Sequence, residues 1–239
     1  MTVVAFRLAG PLQSWGASSR FVRRGTEQEP TKSGVLGLVA AAQGLRRSDP
    51  LESLLGLRFG VRIDQPGTLV RDFQTARQPV RQKSGQTKWS ALPLSQRYYI
   101  ADAVYLAVLE GDRDLVTGID EAVRSPKFPL YLGRRSCPPA GPVALGLFEE
   151  DLETVLATVP WLANRRHQRQ RRRAVVRLAT ARDAASVDEE AELIRDVPLS
   201  FDPNHRQYGW RRVVRGWVEV ENRHWIGDPE HEPMAVLEG

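Results

Sequence analysis

The sequence contains one cysteine, Cys137, among 239 residues, so it cannot form an intrachain disulfide and fits a reducing compartment. No apolar run approaches the ~20 residues that a membrane-spanning helix needs, and the opening MTVVAFRLAG is too short and polar for a secretion signal. We therefore expect a cytoplasmic chain with no membrane partner. Its length suits one large domain, or one domain with a smaller companion.

The sequence also lacks the motifs of metal and small-molecule chemistry. Its 4 histidines lie in polar or basic surroundings and make no zinc-ligand spacing with the single cysteine: His167, His205, His224 and His231. There is no GxSxG motif, and Thr31 stands where a Walker A loop needs glycine before Lys-Ser. We therefore expect no metal, no cofactor and no catalytic site for small-molecule chemistry.

The stretch PTKSGVLGLVAAAQG, residues 30–44, predicts a helix with a well-marked start and stop. Thr31 and Ser33 are candidate N-caps, and Gly44 is a candidate C-terminal stop. One face of this helix is apolar, and a second face nearly lacks side chains. Another part of the protein must therefore pack closely against the second face. Lys32 lies among the free amides of the first turn, which favours a bound phosphate, although an ordinary capped core helix is the alternative.

Basic residues exceed acidic ones, 34 Lys plus Arg against 29 Asp plus Glu, and most of the excess is arginine. This favours a nucleic-acid partner over an inert basic surface. In residues 10–26, Arg20, Arg23 and Arg24 are interleaved with Trp15 and Phe21, a pattern that suits stacking on unpaired bases. The alternative is that the two aromatic residues cover the core.

The periodicity predicts an α+β domain. A half-buried strand is indicated by the alternation of Val4, Phe6 and Leu8 with less apolar residues. Further strands are indicated at residues 57–63 and 69–76, and a buried central strand at 103–109. An amphipathic helix is indicated at 115–122. The order strand, helix, strand, strand, helix matches the ferredoxin-like plan of RNA-recognition domains. Further on, the pattern predicts a helix over 152–159 and a strand over 214–220. Between these two elements lies an arginine run (165–173), interpreted as a solvated or disordered loop unless it faces an anion. It is followed by an acidic stretch (183–196), interpreted as linking or peripheral.

A polar insertion occupies residues 77–97, with a Ser-Gly turn signal and no acidic residue. It predicts a projecting basic hairpin, or else a disordered surface loop, with the cations Arg77, Arg81, Lys83, Lys88 and Arg97. A second irregular segment, FPLYLGRRSCPPAGP, is a proline- and glycine-rich loop around Tyr131, Arg134 and Arg135.

Five stretches together resemble one family: GPLQSWG (10–16), PTKSGVLGL (30–38), RYYIADA (97–103), YLGRRSCPP (131–139) and DVPLSFD (196–202). The chain is similar to the type I-E branch of the fifth CRISPR-associated (Cas) protein family, subunits of the RNA-guided complex Cascade. The resemblance implies a non-catalytic subunit that holds the 5′ repeat-derived handle of the guide crRNA. It implies a thumb-like hairpin near 77–97, contacts with the backbone subunits and the large subunit, and target DNA met indirectly through the complex.

On this interpretation residues 1–140 form an RNA-recognition-like domain with the thumb insertion, 141–225 a smaller C-terminal β-containing part packed on it, and 226–239 a tail. The expected RNA-binding residues are Arg20, Arg23, Arg24, Lys32, Ser33, Gly34, Arg77, Arg81, Lys83, Lys88, Trp89, Arg97, Tyr98, Tyr131, Gly133, Arg134, Arg135, Ser136 and Cys137. Two alternatives remain at this point: a metal-independent endoribonuclease that cuts repeat RNA, and a free single-strand RNA-binding module.

Overall fold

The computed structural model describes residues 1–16 and 23–225. The strands are β1 (Thr2–Ala9), β2 (Leu12–Gln13), β3 (Arg23–Arg24), β4 (Arg58–Gln65), β5 (Thr68–Gln74), β6 (Arg77–Arg81), β7 (Thr87–Ala91), β8 (Ser95–Ala101), β9 (Val104–Gly111), β10 (Ala144–Phe148), β11 (Val175–Asp183), β12 (Glu192–Ser200) and β13 (Gln207–Glu221). The helices are α1 (Lys32–Gln43), α2 (Glu52–Leu55), α3 (Arg113–Arg124), α4 (Leu152–Thr158) and α5 (Arg165–Gln170). Within these ranges every helix is too short or too polar to span a lipid bilayer.

The main sheet has seven strands in the order β10-β1-β9-β4-β11-β13-β12, with every neighbouring pair antiparallel. Helices cover both faces of β1, so the prediction that β1 is half-buried is wrong. On one face, Val4, Phe6 and Leu8 pack with α1 and α3. On the other face, Val3 and Ala5 pack with α4. A strand buried on both faces carries apolar residues at consecutive positions, as VVAF does at 3–6.

The helix predicted within residues 30–44 is confirmed as α1. Thr31 Oγ1 accepts a hydrogen bond from the Gly34 N–H, and Gly44 ends the helix with a left-handed φ of 83°. The small face is indeed approached closely, because a Cβ on Gly34 would lie 2.7 Å from Trp15 Cε3. Trp15 is fully buried, so it covers the core, as the alternative interpretation predicted.

The predicted mixed, strand-rich architecture is confirmed, but the sequence did not reveal β10, β11 or β12. The C-terminal strands β11, β13 and β12 continue the main sheet from β4. Strand β10, which follows residue 140, pairs with β1. The division of the chain at residue 140 stays a prediction, and the tail at 226–239 lies outside the described residues.

A buried cluster of four charges joins the start of α1 to the C-terminal strands. Lys32 Nζ donates to Asp183 Oδ2 at 2.8 Å, and the Lys32 backbone N–H donates to Asp196 Oδ2 at 2.8 Å. Arg211 Nη1 donates to Asp183 Oδ1 at 2.8 Å, and Arg211 Nε donates to Asp196 Oδ1 at 2.5 Å. Their side chains are at most 12% exposed. The acidic stretch 183–196 is therefore anchored in the core at both ends: it links β11 to β12 and is not peripheral.

The charges of this cluster balance one another. Burial lowers the pKa of Arg211, but hydrogen bonds and charge from Asp196 and Asp183 outweigh that effect and raise it, so the guanidinium stays charged. A second buried pair lies across the sheet, where the fully buried Arg62 donates to Asp64 at 2.7 Å and to the carbonyls of Leu156 and Val159 at the end of α4. Buried charges in this fold are paired and hydrogen-bonded, as desolvation requires.

We expect Arg211→Met to lower the free energy of unfolding by about 3–5 kcal/mol, because it leaves two buried carboxylates sharing one cation. The matched control is Arg215→Met, also on β13, since Arg215 pairs with Glu29 and Glu192 from a side chain that is 52% exposed. The control should cost about 1 kcal/mol or less. Urea denaturation measures both, and equal losses would show that the buried cluster is not a special anchor.

Candidate nucleic-acid interface

The predicted basic hairpin is confirmed as the paired strands β6 and β7. Their register runs from Arg77 opposite Ala91 to Arg81 opposite Thr87, and the turn between them has a left-handed φ of 83° at Gly85. Every residue from 77 to 94 is exposed. The element therefore projects from the molecule and places Arg77, Arg81, Lys83 and Lys88 in solvent.

The hairpin also exposes apolar and aromatic side chains. Trp89 on β7 is 63% exposed and Phe73 on β5 is 68% exposed. Strands β5 and β8 form the stem below the hairpin, with Phe73 opposite Gln96 and Asp72 opposite Arg97. Exposed aromatic rings beside cations suit base stacking with phosphate neutralisation. Sequence reasoning named Trp89 but missed Phe73, whose place in an alternating strand pattern was the available signal.

Strand β8 connects this stem to the core and holds two arginine–tyrosine contacts. Arg23 on β3 lies over the Tyr98 ring at 5.4 Å from its centroid, and Arg134 lies over the Tyr99 ring at 4.7 Å. Because neighbouring residues of a strand point to opposite faces, the two contacts flank β8. The parallel pairing of β3 with β8 brings Arg24 beside Arg97. Tyr99 was also missed, although it follows Tyr98 in RYYIADA.

The loop at residues 131–137 packs against the segment that follows β2. Gly133 has a left-handed φ of 77°, and a Cβ there would lie 2.1 Å from the Ser14 carbonyl oxygen, so this position requires glycine. The Ser14 N–H donates to the Leu132 carbonyl at 3.1 Å, and Ser14 Oγ donates to the Tyr98 carbonyl at 3.0 Å. These bonds hold the loop against β8.

The side chains of this loop differ in exposure to solvent. Arg135 and Ser136 are exposed, Tyr131 is half-buried, and Arg134 is half-buried over Tyr99. Burial raises the pKa of Tyr99, but hydrogen bonds from Ser136 and Arg134, together with the arginine charge, lower it by more. Arg134 Nη1 and Arg97 Nε are buried with no hydrogen-bond partner in the described part of the chain. These two donors suit an incoming acceptor such as a phosphate oxygen.

The start of α1 does not offer the anion site that the sequence suggested. Lys32 and Ser33 are buried, and the Lys32 ammonium is bound to Asp183 and to the Leu57 carbonyl at 2.6 Å. The nearby Gly34 packs on Trp15. The interpretation of Lys32 as a free phosphate ligand is wrong, because a carboxylate already occupies that position.

Two other expected RNA-binding residues, Cys137 and Arg20, are not placed on the exposed surface that the structure describes. Cys137 is fully buried, and burial raises the pKa of its thiol, so its side chain is structural and not presented to RNA. Arg20 lies outside the described residues. The remaining expected residues converge on the hairpin, β3, β8 and the 131–137 loop.

Residues 165–170 of the arginine run form helix α5, so the prediction of a solvated or disordered loop is wrong for them, although all six arginines of the run are exposed. Within it, His167 lies edge-on to Trp161 with ring centroids 5.8 Å apart. Burial, and then the charge of Arg171, lower the pKa of His167. In the residues that the structure describes, no group of three or more His, Cys, Asp or Glu is arranged to hold a metal ion.

Comparison with known proteins gives consistent matches. The family model described as CRISPR-associated protein (Cas_Cas5) matches residues 3–214. The "CRISPR system Cascade subunit CasD" of Escherichia coli (strain K12) is 36% identical over 160 residues, which cover 59% of this chain and 68% of that protein. A chain of a solved "CRISPR RNA-guided surveillance complex" aligns with TM-score 0.74 and 30% identity, covering 98% of this chain and 97% of its own length. A solved crystal structure of a Cas protein aligns with TM-score 0.69 and 34% identity, covering 95% and 99%.

Replacing residues 77–91 with a short Gly-Ser turn should leave the core nearly intact, because every residue removed is exposed. We expect the Tm, followed by circular dichroism, to change by less than about 4 °C, the shift that ~1 kcal/mol produces in a chain of this size. As a control, Gly133→Ala should lower the Tm clearly, because a Cβ there collides with the Ser14 carbonyl. A decrease in Tm in the shortened variant as large as in the control would show that the hairpin belongs to the core.

Proposed function

Because this chain belongs to the Cas5 family of CRISPR-associated proteins, we propose that it is a non-catalytic subunit of a type I-E Cascade surveillance complex. In that complex it binds and caps the 5′ repeat-derived handle of the guide crRNA. The observation that carries the proposal is the convergence of arginine–tyrosine contacts and unpaired arginine donors beside the exposed hairpin.

The handle lies, on this proposal, along β8 and the 131–137 loop. Arg135 and Ser136 are exposed and bind phosphate oxygens, while the unpaired Nη1 of Arg134 and Nε of Arg97 donate to further backbone oxygens. The ring of Tyr98, half-buried beneath Arg23, offers a stacking surface for a splayed base. Binding of this kind depends on backbone charge and unpaired bases, which are the features of a single-stranded handle.

The basic hairpin acts as the thumb of this arrangement. Its cations and Trp89 order on the guide or on a neighbouring backbone subunit, since the hairpin projects and has no core of its own. We further propose contact with the large subunit, and we propose that the handle-binding surface meets target DNA only indirectly through the complex. A free RNA-binding module is the competing outcome, and it predicts that the purified chain binds repeat RNA without recruiting other subunits.

We propose that the architecture supporting this role is ferredoxin-like. The order β10-β1-β9-β4, with α1 after β1 and α3 after β9, follows the 4-1-3-2 arrangement of a split βαβ fold. We propose that residues 1–140 and β10 supply this RNA-recognition-like unit, and that the remaining C-terminal strands form the smaller companion part that widens its sheet.

Arg135→Ala should weaken binding of repeat-bearing RNA and lower its salt dependence. Removing one cation from a single-strand phosphate reduces the slope of log K against log salt by ~0.7. Fluorescence anisotropy over a salt series measures both quantities, with the equally exposed Arg46→Ala as the charge-matched control. An unchanged slope and affinity for Arg135→Ala would remove this residue from the proposed site.

We expect no cleavage of repeat RNA by this chain. A metal-free ribonuclease needs a tuned base beside cationic groups. The contacts of the described histidines are with other residues than those of the arginine–tyrosine pairs: His167 lies against Trp161 and His205 beside Gln207. Labelled repeat RNA incubated with purified protein in chelator near neutral pH should stay intact for hours. A discrete product that disappears on changing Tyr98 or one histidine would establish an endoribonuclease instead.

A further inference from the structure

The arginine run carries an unusual concentration of unpaired charge. Between Asn164 and Ala174 the chain has no acidic residue, and its cations are Arg165, Arg166, Arg169, Arg171, Arg172 and Arg173. All six are exposed, and in the described ranges none of them forms a salt bridge. In the interior of the fold, by contrast, arginines such as Arg62 and Arg211 are neutralised by carboxylates. The surface around α5 is therefore strongly positive.

Specific hydrogen bonds hold this charged segment in a helix. A helix of six residues with cations on successive turns is unstable by itself. Asn164 Oδ1 caps it by accepting from the His167 N–H at 2.8 Å. The buried Gln168 donates to the carbonyls of Trp161 and Ala163 at 3.0 and 2.8 Å, and its own carbonyl accepts from Asn222 at 2.9 Å. The arginines thus project from a fixed support.

Three of these arginines line one concave surface. Arg166, Arg169 and Arg172, with Gln170, surround a volume of about 510 Å³. Guanidinium groups spaced along a helix and its following turn present several N–H donors to a single ligand. A ligand with repeated anionic oxygens, such as consecutive phosphates, satisfies them best.

The chemistry of this surface differs from that of the hairpin. Residues 164–174 include no Phe, Tyr or Trp, and the His167 ring is packed against Trp161. Among the described residues, none of the four that line the concave surface has an aromatic group to stack on an unpaired base, unlike Trp89 and Phe73 on the hairpin and its stem. A double helix keeps its bases inside and its phosphates outside, so it matches a surface that offers charge without stacking.

We propose that Arg166, Arg169 and Arg172 bind the phosphate backbone of a double-helical nucleic acid, independently of base sequence. This site is separate from the handle-binding surface and does not depend on that assignment. The site lies near the same end of the sheet as the hairpin stem. The N–H of Asn164, the cap of α5, donates to Gln65 Oε1 at 3.3 Å, and Gln65 ends β4, the strand from which the chain enters the stem. Duplex DNA and duplex RNA share this backbone chemistry, and the experiment separates them.

The test compares two triple variants of the full chain with equal reduction of charge. One is Arg166→Gln, Arg169→Gln, Arg172→Gln, and the control is Arg46→Gln, Arg47→Gln, Arg113→Gln, at exposed positions elsewhere. Fluorescence anisotropy over a salt series measures binding of a short duplex DNA, a duplex RNA of the same sequence, and single-stranded repeat RNA. The repeat RNA reports the proposed handle site, so failure of either proposal is distinguishable.

We expect the α5 variant to bind duplexes more weakly and to lower the salt slope by about 0.9 for each phosphate that is no longer neutralised, up to about 2.7 for three phosphates. The control and the repeat RNA should change little, and the duplex with the larger decrease in affinity identifies the source. If the triple variant melts earlier than the control, Arg166→Gln and Arg169→Gln are measured singly, each with an expected change of about 0.9. Duplex binding equal to that of the control, or a decrease confined to repeat RNA, would overturn the proposal.

Discussion

The buried cluster of Lys32, Asp183, Asp196 and Arg211 is the interaction on which the rest of the fold depends. It joins the first turn of α1 to β11, β12 and β13, elements far apart in the sequence. Because each buried charge needs the others, the cluster couples the position of α1 to that of the C-terminal strands. The cluster also explains why the helix start is unavailable to RNA: the role that a phosphate would fill belongs to two carboxylates of the same chain.

Two groups of arginines in this protein differ in burial and in pairing. Those inside the fold, such as Arg62 and Arg211, are paired, since an unpaired charge in the interior would be costly. Those on the hairpin and on α5 stay in solvent, where an unpaired charge costs little and remains available to a polyanion. The modest net charge of +5 conceals this separation, because most of the acidic residues are spread over the rest of the molecule or paired internally.

Strand β8 is the mechanical link between the core and the proposed RNA surface. Its Tyr99 and Ile100 are buried, while its N-terminal half continues into the exposed hairpin stem. The loop at 131–137 is held against β8 through Ser14, with glycine required at position 133 by the close approach of the backbone. A rigid base with a projecting hairpin places stacking groups and cations where a partner can order them, which fits membership of a family whose relatives include a Cascade subunit.

Sequence by itself determined the features that arise from residues a few positions apart: the capped and terminated α1, the amphipathic α3 and α4, the buried run of β9 and the basic hairpin. Periodicity and turn chemistry act over that range. Only the tertiary structure decided that Lys32 is internal, that β1 is covered on both faces and that Asp183 and Asp196 are core residues. These outcomes depend on partners distant in the chain, such as Lys32 with Asp183, 151 positions away, and no local pattern encodes which distant carboxylate neutralises a given lysine.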